Sequence, residues 1–151
     1  MKIIFLDIDG VLNSEKYLRA FGGIGVSIDM SRLELIKEIV VATGALIVLS
    51  TSWREHWDKD EAQCDNIGKE INKIFGLQGL EVFDKTPNLH YRREREIEEW
   101  LMLHPETENF VVIDDMFLDS ERIRGHFVKT NNYKNGIEKE NALLAINILN
   151  G

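Results

Sequence analysis

The sequence predicts an α/β fold, an open parallel sheet in three layers with helices on both faces. Three observations predict it. The short continuous apolar runs KIIFLD, ALIVLS and NFVVIDD have the pattern of strands buried on both faces. Segments of helical periodicity separate them, and strand–helix alternation implies parallel pairing through right-handed crossovers. No internal repeat, low-complexity tract or Pro/Ser linker marks a boundary, so residues 1–151 are expected to form one domain.

Taken in order, KIIFLD is the first strand. SRLELIKEIVVATG reads as a helix with Ser31 and Glu34 as a capping box, Leu33, Ile36 and Val40 on one face, and Gly44 as its stop. ALIVLS is the second strand. A helix is expected from about Glu61 to Phe75, with Ile67, Ile71, Ile74 and Phe75 as its apolar stripe and Gly76 ending it. GLEVFD is a short third strand. REREIEEWLML is helical with Ile97, Trp100 and Leu101 inward, and it ends before His104-Pro105. NFVVIDD and HFVKT are the last strands, and KENALLAINIL is the final helix.

Composition narrows the function classes. Eighteen Lys and Arg face 26 Asp and Glu, a net charge of −8. Such a chain repels nucleic acid on average, so no extended nucleic-acid-binding surface is expected. It also repels phosphorylated small molecules, unless a local cation or metal inverts the field. No apolar stretch reaches membrane-spanning length, and Asp7 and Asp9 interrupt the N-terminal apolar segment, so neither a membrane span nor a signal peptide is expected. Cys64 is the only cysteine. A reducing, cytoplasmic setting is therefore expected, with Cys64 an inert thiol.

In open α/β sheets ligands bind beyond the carboxyl ends of the strands. That rule gathers scattered residues into a constellation. The first strand ends on Asp7, with Asp9 and Gly10 just past it. The second ends on Ser50, Thr51 and Ser52, and the fourth on Asp114 and Asp115, with Asp119 close behind. Any one of these alone is an ordinary turn or cap residue. Together, the carboxylates repel one another and call for a cation.

An all-oxygen donor set points to a hard ion, and few carboxylates plus waters suit Mg2+ better than Ca2+. With Mg2+ bound, one carboxylate can attack phosphorus as a nucleophile, and a second, two residues on, can serve as general acid and then base. Thr51 or Ser52 can hydrogen-bond a phosphoryl oxygen, and backbone N–H groups around Asp9 and Gly10 can hold another. A fixed cation for the transition-state charge has candidates in DKTPNLHYRRER: Lys85, Arg92, Arg93 and Arg95.

FLDIDGVLNS, LIVLSTSWR and VVIDD resemble the first, second and fourth motifs of the haloacid dehalogenase (HAD) superfamily. The phrasing TPNL…RREREIEEWL…FVVIDD…FVKTNN…GI further resembles its small capless branch, related to the phosphatase domains of nucleic-acid end-repair proteins. The resemblance spans nearly the whole chain. It implies a Rossmann-like core of about five strands and an HAD-type phosphatase working through an aspartyl-phosphate. Asp7 would be the nucleophile and Asp9 the acid/base. Asp7, the backbone carbonyl of Asp9 and Asp114 would hold Mg2+, with Asp115 assisting. Thr51 would bind the phosphoryl group because STSW resembles the branch's Thr/Ser-x-Trp pattern; Ser50 and Ser52 are the alternatives. Arg93 would be the third-motif cation, because Arg93-Glu94-Arg95-Glu96-Ile97 falls in the register of the branch's Arg-Gly-x-Glu-Ile, though the glycine is absent. Arg93 would also stand near a helix N-terminus, which favours an anion.

The stretches from Asp9 to Thr51 and from Thr51 to Asp114 are too short for a substantial cap. An open site is expected, lined by the GGIG segment and by Trp53, Arg54, His56 and Trp57. The expected substrate is a nucleotide, an oligonucleotide end or another phosphorylated molecule. The alternative is a non-catalytic phosphate-binding or phosphoacceptor module of the receiver kind. Such modules usually carry the acidic pair first and the acceptor later, the reverse of the order here.

Overall fold

A computed structural model describes residues 1–90 and 92–151. Five parallel strands form one sheet in the order β3-β2-β1-β4-β5: β1 (Lys2–Leu6), β2 (Leu46–Leu49), β3 (Val82–Lys85), β4 (Asn109–Asp114) and β5 (Phe127–Lys129). The helices are α1 (Glu15–Phe21), α2 (Met30–Thr43), α3 (Asn66–Leu77), α4 (Arg93–Leu103) and α5 (Lys139–Asn150), with short 3-10 turns at Ser52–His56 and Glu61–Gln63.

Alternation along β1 divides the core in two. Ile4 and Leu6 face a cluster built with Leu33, Ile36 and Ile39 of α2, Ile71 and Phe75 of α3, and Ala142, Ala145 and Leu149 of α5. Ile3 and Phe5 face the other cluster, with Ile97, Trp100 and Leu101 of α4. A strand buried on both faces must be apolar at every position, and the continuous runs read from the sequence meet that demand. The result is a three-layer, Rossmann-like core, and no domain is inserted between its strands among the described residues.

Several element boundaries differ from the sequence reading, each for a local reason. Helix α2 starts at Met30 because Asp29 is its cap, accepting from Ser31 N–H at 3.0 Å and Ser31 Oγ at 2.7 Å. Ser31 therefore lies inside the first turn and forms no capping box with Glu34. Ile39, not Val40, completes the fully buried stripe. Gly44 ends α2 as expected, in the left-handed region at φ 71°. Helix α3 begins at Asn66, not near Glu61, because Asp65 caps it and the Glu61–Gln63 turn stands apart under its own cap, Asp60. It runs through Gly76 to Leu77. Helix α1 has no counterpart in the sequence reading, because none of its seven residues is buried and no apolar stripe betrays it.

Candidate active site

The strand order reverses between β1 and β4: β2 and β3 lie to one side of β1, β4 and β5 to the other. A crevice opens at such a point beyond the carboxyl ends of the strands. Leu6 pairs with Leu49 on one side and Ile113 on the other, so Asp7 leaves the sheet between Ser50 and Asp114. The ladder continues one step further, with Asp7 N–H donating to the Ile113 carbonyl and Ser50 N–H to the Leu6 carbonyl.

Asp7, Asp114 and Asp115 bring one carboxylate oxygen each within 4.8 Å of the others. Asp7 and Asp114 are buried, at 4% and 0% exposure. Burial, then the neighbouring Asp114 charge, push the Asp7 carboxyl well above its usual range, although Arg93 and the Ile8 N–H pull the other way. Burial and Asp114 likewise raise Asp115. Asp119 stands outside this group, exposed and paired with Arg124.

Arg93 bridges the buried pair, its Nη1 donating to Asp7 Oδ2 at 3.0 Å and to Asp114 Oδ2 at 2.7 Å. Burial alone would lower its pKa, but the Asp7 and Asp114 charges outweigh that and raise it. The charge is therefore fixed. The other three candidates point elsewhere. Lys85 Nζ donates to the carbonyls of Arg54 and Trp57, Arg92 pairs with Glu94, and Arg95 is exposed.

One guanidinium against three close carboxylates leaves negative charge unmet, and every donor is oxygen. This set fits a hard divalent cation of the Mg2+ kind. Gly10 makes the cradle possible: at φ 80°, a Cβ there would lie 2.4 Å from Asp115 Cγ. Its N–H, expected to face a phosphoryl oxygen, instead donates to Asn13 Oδ1 at 2.9 Å.

Asp9 lies outside the carboxylate group, with its side chain exposed. Its Oδ1 accepts from Asn13 Nδ2 at 3.0 Å, and its Oδ2 from Trp53 Nε1 at 2.8 Å. The three hydroxyls separate clearly. Thr51 Oγ1 is buried and caps the following 3-10 turn, accepting from Trp53 N–H at 3.3 Å. Ser52 is exposed and borders a cleft of about 370 Å³ shared with Asn88, Arg92, Arg93 and Met116. The Ser50 hydroxyl is fully buried and has no hydrogen-bond partner among the described residues.

Of the four side chains expected to line the site, Trp53 reaches Asp9. Trp57 is buried and donates to Asn72 Oδ1, and His56 pairs with Asp65. Arg54 borders the cleft, but its guanidinium is buried against Glu96 at 2.8 Å. Arg54 also donates to the Thr51 carbonyl, and Glu96 accepts from Leu89 N–H. That network ties the turn after β2 to the start of α4, and so to Arg93. Sequence reasoning missed Glu96, Asn13 and Thr130, whose Oγ1 donates to the Gly10 carbonyl at 2.7 Å. The Asn three residues beyond Gly10 was a usable signal for a closed loop, whereas Thr130 carried no mark beyond its place in the FVKTNN phrase.

No curated protein and no solved structure matches the chain significantly. A family model does: over residues 3–142 the chain matches the family described as HAD domain in Swiss Army Knife RNA repair proteins.

Proposed function

Because the chain belongs to the family of HAD domains in Swiss Army Knife RNA repair proteins, we propose that it is a Mg2+-dependent phosphomonoesterase acting through an aspartyl-phosphate on Asp7. The family supports a phosphatase-type function. The observation that carries the finer reading is Asp7 itself, a buried carboxylate at the strand-order reversal, held between a fixed guanidinium and two further carboxylates.

In this reading the Asp7 carboxylate attacks phosphorus and the ester P–O bond breaks. The departing oxygen takes a proton from Asp9. Asp9 then removes a proton from water, whose oxygen attacks phosphorus and expels the Asp7 carboxylate with inorganic phosphate. Asp7, Asp114, Asp115 and the Asp9 carbonyl would hold Mg2+, which supplies charge neutralisation for the carboxylates and the phosphoryl oxygens. Arg93 adds fixed positive charge beside the reacting centre.

In this reading the hydroxyl that binds the phosphoryl group is that of Ser50, not of Thr51. The Thr51 oxygen already accepts from Trp53 N–H as a cap, while the buried Ser50 hydroxyl, one residue past Leu49 and beside Asp7, has no partner among the described residues. A buried hydroxyl with no partner costs free energy unless a ligand satisfies it. Gly10 is assigned to the loop that admits Asp115 rather than to direct phosphate contact, and Ser52 to the cleft rim.

The RNA-repair setting of the family and the open cleft beside Arg93 favour a phosphorylated RNA end as substrate. The test is a panel of 3′- and 5′-phosphorylated oligonucleotides, mononucleotides and p-nitrophenyl phosphate, with and without Mg2+. Metal-dependent phosphate release, lost in Asp7→Asn, is expected. Release that persists in EDTA or in that variant contradicts the assignment.

A further inference from the structure

Asp9 is held in a way its own position does not explain. It stands on the loop after β1, and an exposed carboxylate there has free choice of rotamer. Instead each of its oxygens accepts one hydrogen bond from a different side chain, Asn13 Nδ2 at 3.0 Å and Trp53 Nε1 at 2.8 Å. Hydrogen bonds to an ionised acceptor are stronger than neutral ones, and two from separate directions fix the plane of the carboxylate.

Both donors are themselves anchored. Asn13 is fully buried, accepts from Gly10 N–H and donates also to the Ser27 carbonyl at 2.8 Å. Trp53 sits on the first turn of the 3-10 helix that Thr51 caps, and its half-buried ring packs against the larger core cluster. The indole N–H is donor only and rigidly placed, so it aims one oxygen without competing for the proton.

We propose that Trp53, with Asn13, is a positioning residue for the acid/base Asp9. Its indole N–H sets the carboxylate plane that presents Asp9 to the leaving oxygen and then to water. The inference rests on the reading of Asp9 as acid/base. It adds to that reading a link from the turn after β2 to the loop after β1, so that the turn after β2 carries a proton-transfer determinant as well as a phosphate ligand. Misplacement of a catalytic group by a fraction of its reach costs up to about 100-fold in rate.

Trp53→Phe keeps an aromatic ring and removes the N–H. Two rates separate a positioning role from a packing role. With p-nitrophenyl phosphate the leaving group needs no proton, so the first nitrophenolate burst should stay near wild type. Steady-state turnover, which needs Asp9 as base, and the rate on an alkyl phosphate, which needs it as acid, should each fall about 10- to 100-fold. KM should change little. Equal losses in burst and turnover, or no loss in either, overturn the proposal.

Asp9→Asn measured in parallel separates the two layers. If it turns over normally, the acid/base reading fails; if it is defective and Trp53→Phe is not, only the positioning role fails. The indole N–H resonance of Trp53, assigned by its absence in Trp53→Phe, gives a readout independent of activity. It should shift in Asp9→Asn while the other two tryptophan signals stay in place, and an unmoved signal also overturns the proposal.

Discussion

Asp7 is a residue whose chemistry opposes the stability of the fold. Its carboxyl is held well above the usual range by burial and by Asp114. Between the unfolded value near 3.8 and the raised folded value, the folded state binds more protons than the unfolded one. Stability therefore falls as pH rises through that window, and the full penalty remains above it. In EDTA at neutral pH, Asp7→Asn should melt a few degrees higher than the wild type. The gap should narrow as pH falls toward 3.8, as thermal denaturation across pH would record. A variant that melts lower at neutral pH would show that the Arg93 ion pair outweighs the burial cost. The neighbouring hydroxyls give opposite signatures. Thr51→Ala removes a cap and should cost about 1 kcal/mol with little direct effect on phosphate binding. Ser50→Ala removes a buried hydroxyl that has no partner among the described residues, so stability should hold while kcat/KM falls about 10-fold or more. Denaturant titration beside steady-state kinetics distinguishes the two.

At the scale of elements, α4 is where the site is built, since Arg93 opens it and Trp100 anchors it in the second core cluster. A cation at a helix N-terminus faces the positive end of the dipole, and the two aspartates hold it there. Glu96, one turn on, fixes the helix to the turn after β2 through buried Arg54. Glu96→Ala leaves Arg54 buried without its partner and should destabilise by about 3–5 kcal/mol. It should also weaken catalysis, because the start of α4, which carries Arg93, and the turn after β2 lose their common brace; urea unfolding and phosphatase assays on the same preparation check both. The helix at 93–103 was legible because Ile97, Trp100 and Leu101 repeat at helical spacing before a proline. The strands were legible because burial on both faces leaves them continuously apolar. Boundaries set by a single side-chain cap, Asp29 or Asp65, were not, since neighbouring polar residues compete for that role and only geometry decides. The Trp53–Asp9 contact joins residues 44 positions apart, beyond anything periodicity reports. The three hydroxyls in STS were legible as a group, but which of them caps the following turn, which is buried and which is exposed depends on local geometry.

For the whole molecule, parallel strand order concentrates charge at one sheet edge while the surface as a whole stays acidic, with a net charge of −8. Arg93 is spent on Asp7 and Asp114, which leaves few cations near the cleft to track a phosphate backbone. A phosphorylated RNA end should thus be gripped at its terminus, not along its length. Binding should weaken with salt by a log–log slope of only about −0.7 to −1.4, the value for one or two contacts on a single strand. A steeper slope in fluorescence-anisotropy titrations would point to a wider nucleic-acid surface. The central claim, that Asp7 carries the phosphoryl group, is tested most directly by trapping it. Asp9→Asn mixed with Mg2+ and p-nitrophenyl phosphate, quenched in acid and examined by peptide mass spectrometry, should show one phosphoryl group on the peptide bearing Asp7. The label should be absent from the Asp7→Asn/Asp9→Asn double variant. A phosphoryl group on another residue, or nitrophenolate burst from the double variant at the single variant's rate, would contradict the account.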